Sequence, residues 1–312
     1  MVNVGVIGVG SLGQHHARIY HELPDVNLVG VYDASRERAD EIAARHGTLT
    51  FDSIEALVAE IDAASVVVPT DRHRDVAGQL LEQGIHVLVE KPIASSTVEA
   101  EALVGIAEQK NLILQVGHVE RFNPVMEYLE GVAEHPRFIE AHRLAPYPPP
   151  RPGLHPRGTE VSVVLDLMIH DLEIVLHLVR APVRDVHAVG VPVLSRSADI
   201  ANARLIFEGG CVANVTASRI SPEPMRKIRV FLPDAYISLD YQDQAGEVAR
   251  RTATGIERLS VPIEKGEPLA RELDSFTACV ARRDQPVVSG EHASEALKLA
   301  VAINLSITEA NR

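Results

Sequence analysis

The sequence predicts an α/β protein in two parts, a doubly wound parallel sheet followed by an α/β domain whose sheet is antiparallel and backed by a helix. Three observations carry this. Over the first 117 residues, short β-branched runs alternate with amphipathic helical segments, the pattern of a parallel sheet with crossover helices. The first run is followed at once by a glycine-rich turn, Gly8-Val9-Gly10-Ser11-Leu12-Gly13. From Arg184 to Val261, strand-like runs succeed one another with no long helix between them. The 312 residues also suffice for two domains at about 150 residues each.

The strands of the first part are read at Val2–Ile7, Leu28–Tyr32, Ala64–Val68, Ile85–Val89 and Leu112–Val116. Its helices carry start and stop signals. Ser35 caps a segment stopped by Gly47, Asp71 caps one stopped by Gly84, and Ser96-Thr97-Val98-Glu99 is a capping box. After Pro124 the alternation changes. A proline-rich loop from Pro146 to Gly153 precedes one strongly apolar helix, Val161 to Val179. Strands then follow at Asp185–Val191, Ala201–Phe207, Cys211–Arg219, Lys227–Leu232, Tyr236–Tyr241 and Glu257–Val261, with Gly209-Gly210 as a hairpin turn. Two helices close the chain, and Ala293, Leu297, Ala300 and Val301 form one apolar stripe on the last. The division expected is 1–120 for a dinucleotide-binding domain and 121–290 for a substrate and oligomerisation domain, with helix 291–312 packing back on the first.

Composition excludes several functions. The formal net charge of −13 argues against a general nucleic-acid binder, because phosphate backbones attract basic faces. With 4% aromatic residues and no Trp, a base-stacking platform is excluded too. Cys211 and Cys279 cannot form a disulfide framework, no apolar run reaches the roughly 18 residues of a membrane span, and the N-terminus lacks a targeting pattern. The expectation is a soluble cytoplasmic protein with no nucleic-acid or membrane partner.

The glycine turn suits a pyrophosphate resting on a helix N-terminus, where unpaired N–H groups and the helix dipole favour anions. Asp33 follows the last glycine by 20 residues, at the end of the second strand, where a carboxylate accepts the adenosine ribose hydroxyls. This favours NAD; Arg36 and Arg38 keep NADP as the lesser alternative. Glu90-Lys91-Pro92 ends the fourth strand, at the sheet edge where ligands bind. Lys91 there is either an exposed turn lysine or a group that bonds a substrate oxygen or passes a proton. Asp166 and His170, four residues apart, leave one helix face; a carboxylate orienting an imidazole makes a general base, yet with Glu173 and His177 they equally form an ordinary polar stripe. No second cluster joins them, so no metal is expected.

Together these motifs resemble the Gfo/Idh/MocA family of sugar oxidoreductases. The likeness rests on the glycine turn with Asp33, Val68-Pro69-Thr70 with His73, Glu90-Lys91-Pro92, Arg121-Phe122-Asn123-Pro124 and Asp166-Leu167-Met168-Ile169-His170-Asp171. The resemblance implies a Rossmann domain and a C-terminal α/β domain with an open, mostly antiparallel sheet that makes homodimers or homotetramers. It implies Lys91, Asp166 and His170 as catalytic residues. Cofactor contacts would come from Gly8, Gly10, Ser11, Leu12, Gly13, Asp33, Pro69, Thr70, His73, Glu90 and Lys91. The sequence departs from the usual pattern at Ser162-Val163-Val164-Leu165, where relatives place Gly-Gly, and at Gly117-His118, where they carry an aromatic. The local sequences Gly117-His118-Val119-Glu120-Arg121-Phe122-Asn123-Pro124 and Val164-Leu165-Asp166-Leu167-Met168-Ile169-His170-Asp171 resemble a subgroup acting on UDP-linked N-acetylglucosamine. That points to oxidation at C3 of a UDP-N-acetylhexosamine, with His118, Arg121, Arg143, Arg151 and Arg157 as substrate contacts. Dehydrogenation of a free sugar, inositol or another small carbonyl compound, and a non-catalytic dinucleotide sensor, are the alternatives.

Overall fold

The structure is a computed structural model and describes residues 1–149, 158–253 and 255–310. The chain divides into two compact units, Met1–Arg121 with Glu267–Ser294, and Phe122–Gly266 with Glu295–Arg312.

The first unit begins β1 (Val2–Ile7), α1 (Gly13–Glu22), β2 (Val26–Tyr32), α2 (Arg36–His46), β3 (Leu49–Thr50), α3 (Ile54–Val58) and β4 (Ala63–Val66). It continues with α4 (His73–Glu82), β5 (His86–Glu90), α5 (Thr97–Lys110) and β6 (Leu114–Gly117). Its strands pair in parallel in the order β3-β2-β1-β4-β5-β6. The order reverses between β1 and β4, and ligands of such sheets bind at that switch point, beyond the carboxyl ends of the strands. Continuous apolar runs explain why the central strands are buried on both faces: Val4, Val6, Val31 and Leu88 pack against Ile19, Tyr20 and Ile42. Ser35 accepts the Arg38 N–H as an N-cap, and Gly47 ends α2 in the left-handed conformation. Ser96 caps α5 through the Glu99 N–H. Asp71 does not cap α4, because Thr70–Arg72 wind into a 3-10 turn and the helix starts at His73.

The second unit contains α6 (Pro124–Val132), β7 (Phe138–Leu144), a π-helical segment (Val164–Met168), α7 (Ile169–Val179), β8 (Val183–Val191), β9 (Ile200–Phe207) and β10 (Val212–Ser218). Then come β11 (Met225–Phe231), β12 (Ala235–Asp240), β13 (Ala245–Thr252) and β14 (Gly255–Ser260); the chain then returns to the first unit with α8 (Pro268–Arg282) and the start of α9 (Gly290–Ala310), whose remainder belongs to the second. The sheet order is β14-β13-β12-β11-β7-β10-β9-β8. All its pairs are antiparallel except β7 with β10. Gly209 and Gly210 both take positive φ (82° and 89°) in the β9–β10 hairpin.

Two expectations change. The sequence reading passes over β7, the strand at the centre of this sheet, because its inward set is Ile139, Ala141 and the charged Arg143 rather than an apolar row. The expected return of helix 291–312 to the first unit is replaced by α8, whose Leu273, Phe276, Cys279 and Val280 join the core of β1 and α1. From Glu295 onward α9 groups with the second unit, where Ser306 Oγ accepts the Ala188 N–H at 3.2 Å and Ile307 packs over Gly190.

Candidate active site

The dinucleotide cradle is built from backbone. Gly8 sits at φ +87°, and a Cβ there would lie 2.5 Å from the Val67 carbonyl oxygen; one at Gly13 would lie 1.8 Å from that of Gly8. Both glycines are therefore required for the turn to close onto β4, whereas the space beside Gly10 is open. Helix α1 starts with no side-chain cap and no acid in its first turn, so its N-terminal donors keep their pull on an anion. Asp33 braces the turn, accepting the Val9 N–H at 2.8 Å and the Ser35 N–H at 2.9 Å. Neither nearby arginine is idle: Arg36 bonds Asp40 and Asp52, while Arg38 bonds the Val9 carbonyl and Glu41. An open glycine face, an uncapped helix start and an acid at the end of β2 fit NAD. Exposed Ser11 and half-buried Leu12 complete the turn.

At the end of β5, Lys91 is half-buried and Pro92 buried. His73 staples this edge to the loop after β4, with Nδ1 2.8 Å from the Pro92 carbonyl oxygen and Nε2 3.0 Å from that of Val68. Burial pushes its pKa down, against the pull of the two carbonyls and of Glu90. His73 thus holds the cofactor edge together rather than standing open to it. Pro69 is exposed and Thr70 half-buried beside it. Glu90 is buried; its Oε2 accepts the Lys91 N–H at 3.2 Å and its Oε1 lies 3.4 Å from His16 Nε2.

In the second unit, Asp166 lies within the π-helical segment and His170 is the second residue of α7. Such single π turns are frequent at functional sites, because the extra residue re-aims side chains. Gly158, at φ +81°, is packed so closely on the Asp166 carboxylate that a Cβ would lie 2.2 Å from Oδ2. Gly158 is itself held by Arg219, whose Nη1 donates to the Gly158 and Val161 carbonyls at 2.6 and 2.8 Å. Arg219 Nε bonds Asp199 at 2.8 Å, and Asp199 Oδ2 accepts the N–H groups of Val193, Leu194 and Ser195. Burial would raise the Asp199 carboxyl, but these donors hold it well below the usual carboxylate range.

The expected substrate contacts belong to both units. His118 and Arg121 are buried at the end of the first unit. Arg143, offered by the sequence to an acidic substrate, instead makes a two-point pair with Asp171 at 2.8 and 3.2 Å, both groups buried. A buried guanidinium needs such a partner, and this one ties β7 to α7 beside His170. Arg151 and Arg157 lie outside the described residues. The sequence reading missed His16, Ser65, Gln115, Gly158, Asp199 and Glu272, whose roles come from partners distant in the chain. Among the described residues no group of three or more His, Cys, Asp or Glu is placed to hold a metal, and no helix is long and apolar enough to cross a membrane.

Comparison with known proteins matches residues 2–118 to an oxidoreductase family with an NAD-binding Rossmann fold and residues 130–238 to the GFO/IDH/MocA C-terminal domain. The UDP-N-acetylglucosamine 3-dehydrogenase of Acidithiobacillus ferrooxidans is 37% identical, over 98% of this chain and 97% of that protein. The chain belongs to the Gfo/Idh/MocA oxidoreductase family. A solved structure of the same Acidithiobacillus ferrooxidans enzyme superposes with a TM-score of 0.92 at 38% identity, covering 98% of this chain and 97% of that one. The scyllo-inositol 2-dehydrogenase (NAD(+)) of Bacillus subtilis is 29% identical over 71% of this chain and 68% of its own length. As a member of this family the chain is a dehydrogenase with NAD as its cofactor, and the parallel first sheet is its Rossmann domain.

Proposed function

We propose that the chain oxidises a secondary hydroxyl of a nucleotide sugar, C3 of a UDP-linked N-acetylhexosamine such as UDP-N-acetylglucosamine, to a keto sugar. The observation that carries this reading is the likeness to the Acidithiobacillus ferrooxidans 3-dehydrogenase along nearly the whole chain.

When bound, NAD supplies the nicotinamide ring that takes up the hydride from the carbinol carbon. The chain must then remove the hydroxyl proton and hold the alkoxide as it forms. His170 is assigned the proton, since an imidazole changes charge near neutrality. The Lys91 ammonium holds the developing alkoxide, and Asp166 orients the imidazole or the substrate. Arg151 and Arg157, with His118 and Arg121, are assigned to the diphosphate. Arg143 contributes by fixing Asp171. The family likeness also supports a cytoplasmic enzyme that assembles as a homodimer or homotetramer through the open sheet of the second unit.

The test is to incubate the purified protein with NAD+ and a panel of UDP-sugars, free sugars and inositols, following NADH and identifying products by mass spectrometry. A 3-keto UDP-N-acetylhexosamine is the expected product. Equal turnover without the UDP group would favour a free-sugar or inositol dehydrogenase, and NAD binding with no turnover a sensor. Lys91→Ala should lower kcat by about 10²–10⁴-fold, the range for a group acting on the proton or oxygen of the reaction, with NAD affinity kept.

A further inference from the structure

The first unit buries a set of proton-bearing side chains that the proposed chemistry does not use. Glu272 on α8 is completely buried, and neither of its carboxyl oxygens has a hydrogen-bond partner. Gln115 on β6 is equally buried; its Nε2 donates to the Glu272 backbone carbonyl at 3.2 Å, while its Oε1 is left without a donor. On the α1 side, the Tyr20 hydroxyl lies 2.8 Å from Ser65 Oγ, and His16 Nδ1 lies 3.1 Å from the same oxygen. His16 Nε2 then faces Glu90 Oε1 at 3.4 Å.

With Tyr20 donating to Ser65 and Ser65 to His16 Nδ1, the His16 proton is assigned to Nε2, facing Glu90. The Glu272 oxygens and Gln115 Oε1 remain as acceptors with nothing to accept. An ionised Glu272 in that setting would be a buried charge with no cation and no donor, the costliest state a carboxyl can take. A proton on Glu272 removes that charge. Burial pushes this carboxyl well above the usual range, and the Glu90 charge pushes it further the same way.

We propose that Glu272 is a protonated carboxylic acid whose neutrality keeps Glu90 seated at the strand end that carries Lys91. The inference rests on Lys91 being the group at the reacting oxygen. With Glu272 neutral, the buried cluster carries a single negative charge, on Glu90. That carboxylate fits a niche left by Gly117, where a Cβ would lie 2.9 Å from its Cδ and Oε1. Seated there, it holds the Lys91 backbone amide with one oxygen and faces His16 with the other. A second carboxylate charge from Glu272 would repel Glu90 from the niche and release the strand end that carries Lys91.

Infrared difference spectroscopy on the intact enzyme tests the proton. A protonated-carboxyl C=O band is expected at neutral pH in the wild type and not in Glu272→Gln. In Glu90→Gln the band should vanish at lower pH than in the wild type, because the repelling charge is gone. Steady-state kinetics tests the positioning. Glu272→Leu, neutral at every pH, should keep kcat at neutral pH and should remove the fall in kcat that ionisation of Glu272 causes in the wild type as the pH rises, with the affinity for NAD unchanged. Glu272→Gln, also neutral, should behave in the same way. Absence of the carboxyl band at neutral pH overturns the assignment, whether or not the leucine variant folds. A band present, with the fall in kcat at high pH unchanged in Glu272→Gln, overturns the link to Lys91. Wild-type turnover in Lys91→Ala would instead sink the catalytic reading while leaving the infrared result standing.

Discussion

Replacing Gly158 with alanine separates the cost of a left-handed backbone from the placement of Asp166. Two effects are expected. The first is backbone strain: Gly158 has φ +81°, and an L residue held there loses about 1–2 kcal/mol relative to glycine. The second is displacement, because the new Cβ would lie 2.2 Å from Asp166 Oδ2, and ordinary contact begins at 3.4 Å. Asp166 must therefore retreat by about 1 Å, a misplacement that costs on the order of 10²-fold in rate when the group is part of the chemistry. Gly47→Ala is the control, since Gly47 has φ +63° but a Cβ there meets nothing within 4 Å. Thermal or urea unfolding should show a similar loss of about 1–2 kcal/mol for both variants. Only Gly158→Ala should also lose about 10²-fold in kcat, with NAD affinity kept. If both variants turn over at the wild-type rate while both are destabilised, Asp166 is not held for catalysis by this contact and the reasoning is wrong.

Further outcomes follow from other buried groups. His86 accepts the Ile113 N–H through Nδ1 at 2.8 Å, and burial, aided by the Arg283 charge, lowers its pKa from 6.5 to about 4. The unfolded chain therefore takes up a proton that the folded one refuses, so stability present above pH 6.5 is lost as the pH falls towards about 4. The loss should amount to roughly 3 kcal/mol in urea titrations, and His86→Asn, which keeps an acceptor near the Nδ1 position, should flatten that slope. Asp33→Ala removes the acceptor of the Val9 and Ser35 N–H groups and should weaken NAD binding about tenfold or more by calorimetry; unchanged affinity would count against the cradle as described. Arg143→Met and Asp171→Leu should each cost about 3–5 kcal/mol of stability by breaking a buried ion pair, whereas the double variant should recover much of it. Additive losses in that cycle would show that the pair does not act as a unit.

The parts of the site legible in the sequence are those whose function needs a fixed local spacing. The glycine turn, Asp33 at the end of the next strand, and Lys91 at a strand end are each set by a few consecutive residues and the strand or helix they border. The capping of α2 and α5 was legible for the same reason. Asp71 shows the limit: a capping residue type was in place, but the chain wound a 3-10 turn through it and started the helix later. Strand β7 escaped because burial in this sheet admits Ala141 and the paired Arg143 as readily as an apolar side chain.

By itself the sequence determined the two-part α/β architecture and the place of the dinucleotide, since hydrophobic periodicity and glycine spacing act over a few residues. The tertiary structure alone decided which arginines are already committed, Arg143 to Asp171 and Arg219 to Asp199 and the Gly158 turn. It also decided that α8, not the last helix, completes the core of the first unit, and that Glu272 is buried without a donor. The physical reason is the same in each case. The state of a charged or polar group is set by desolvation and by its partner, and here the partners are brought together only by the fold.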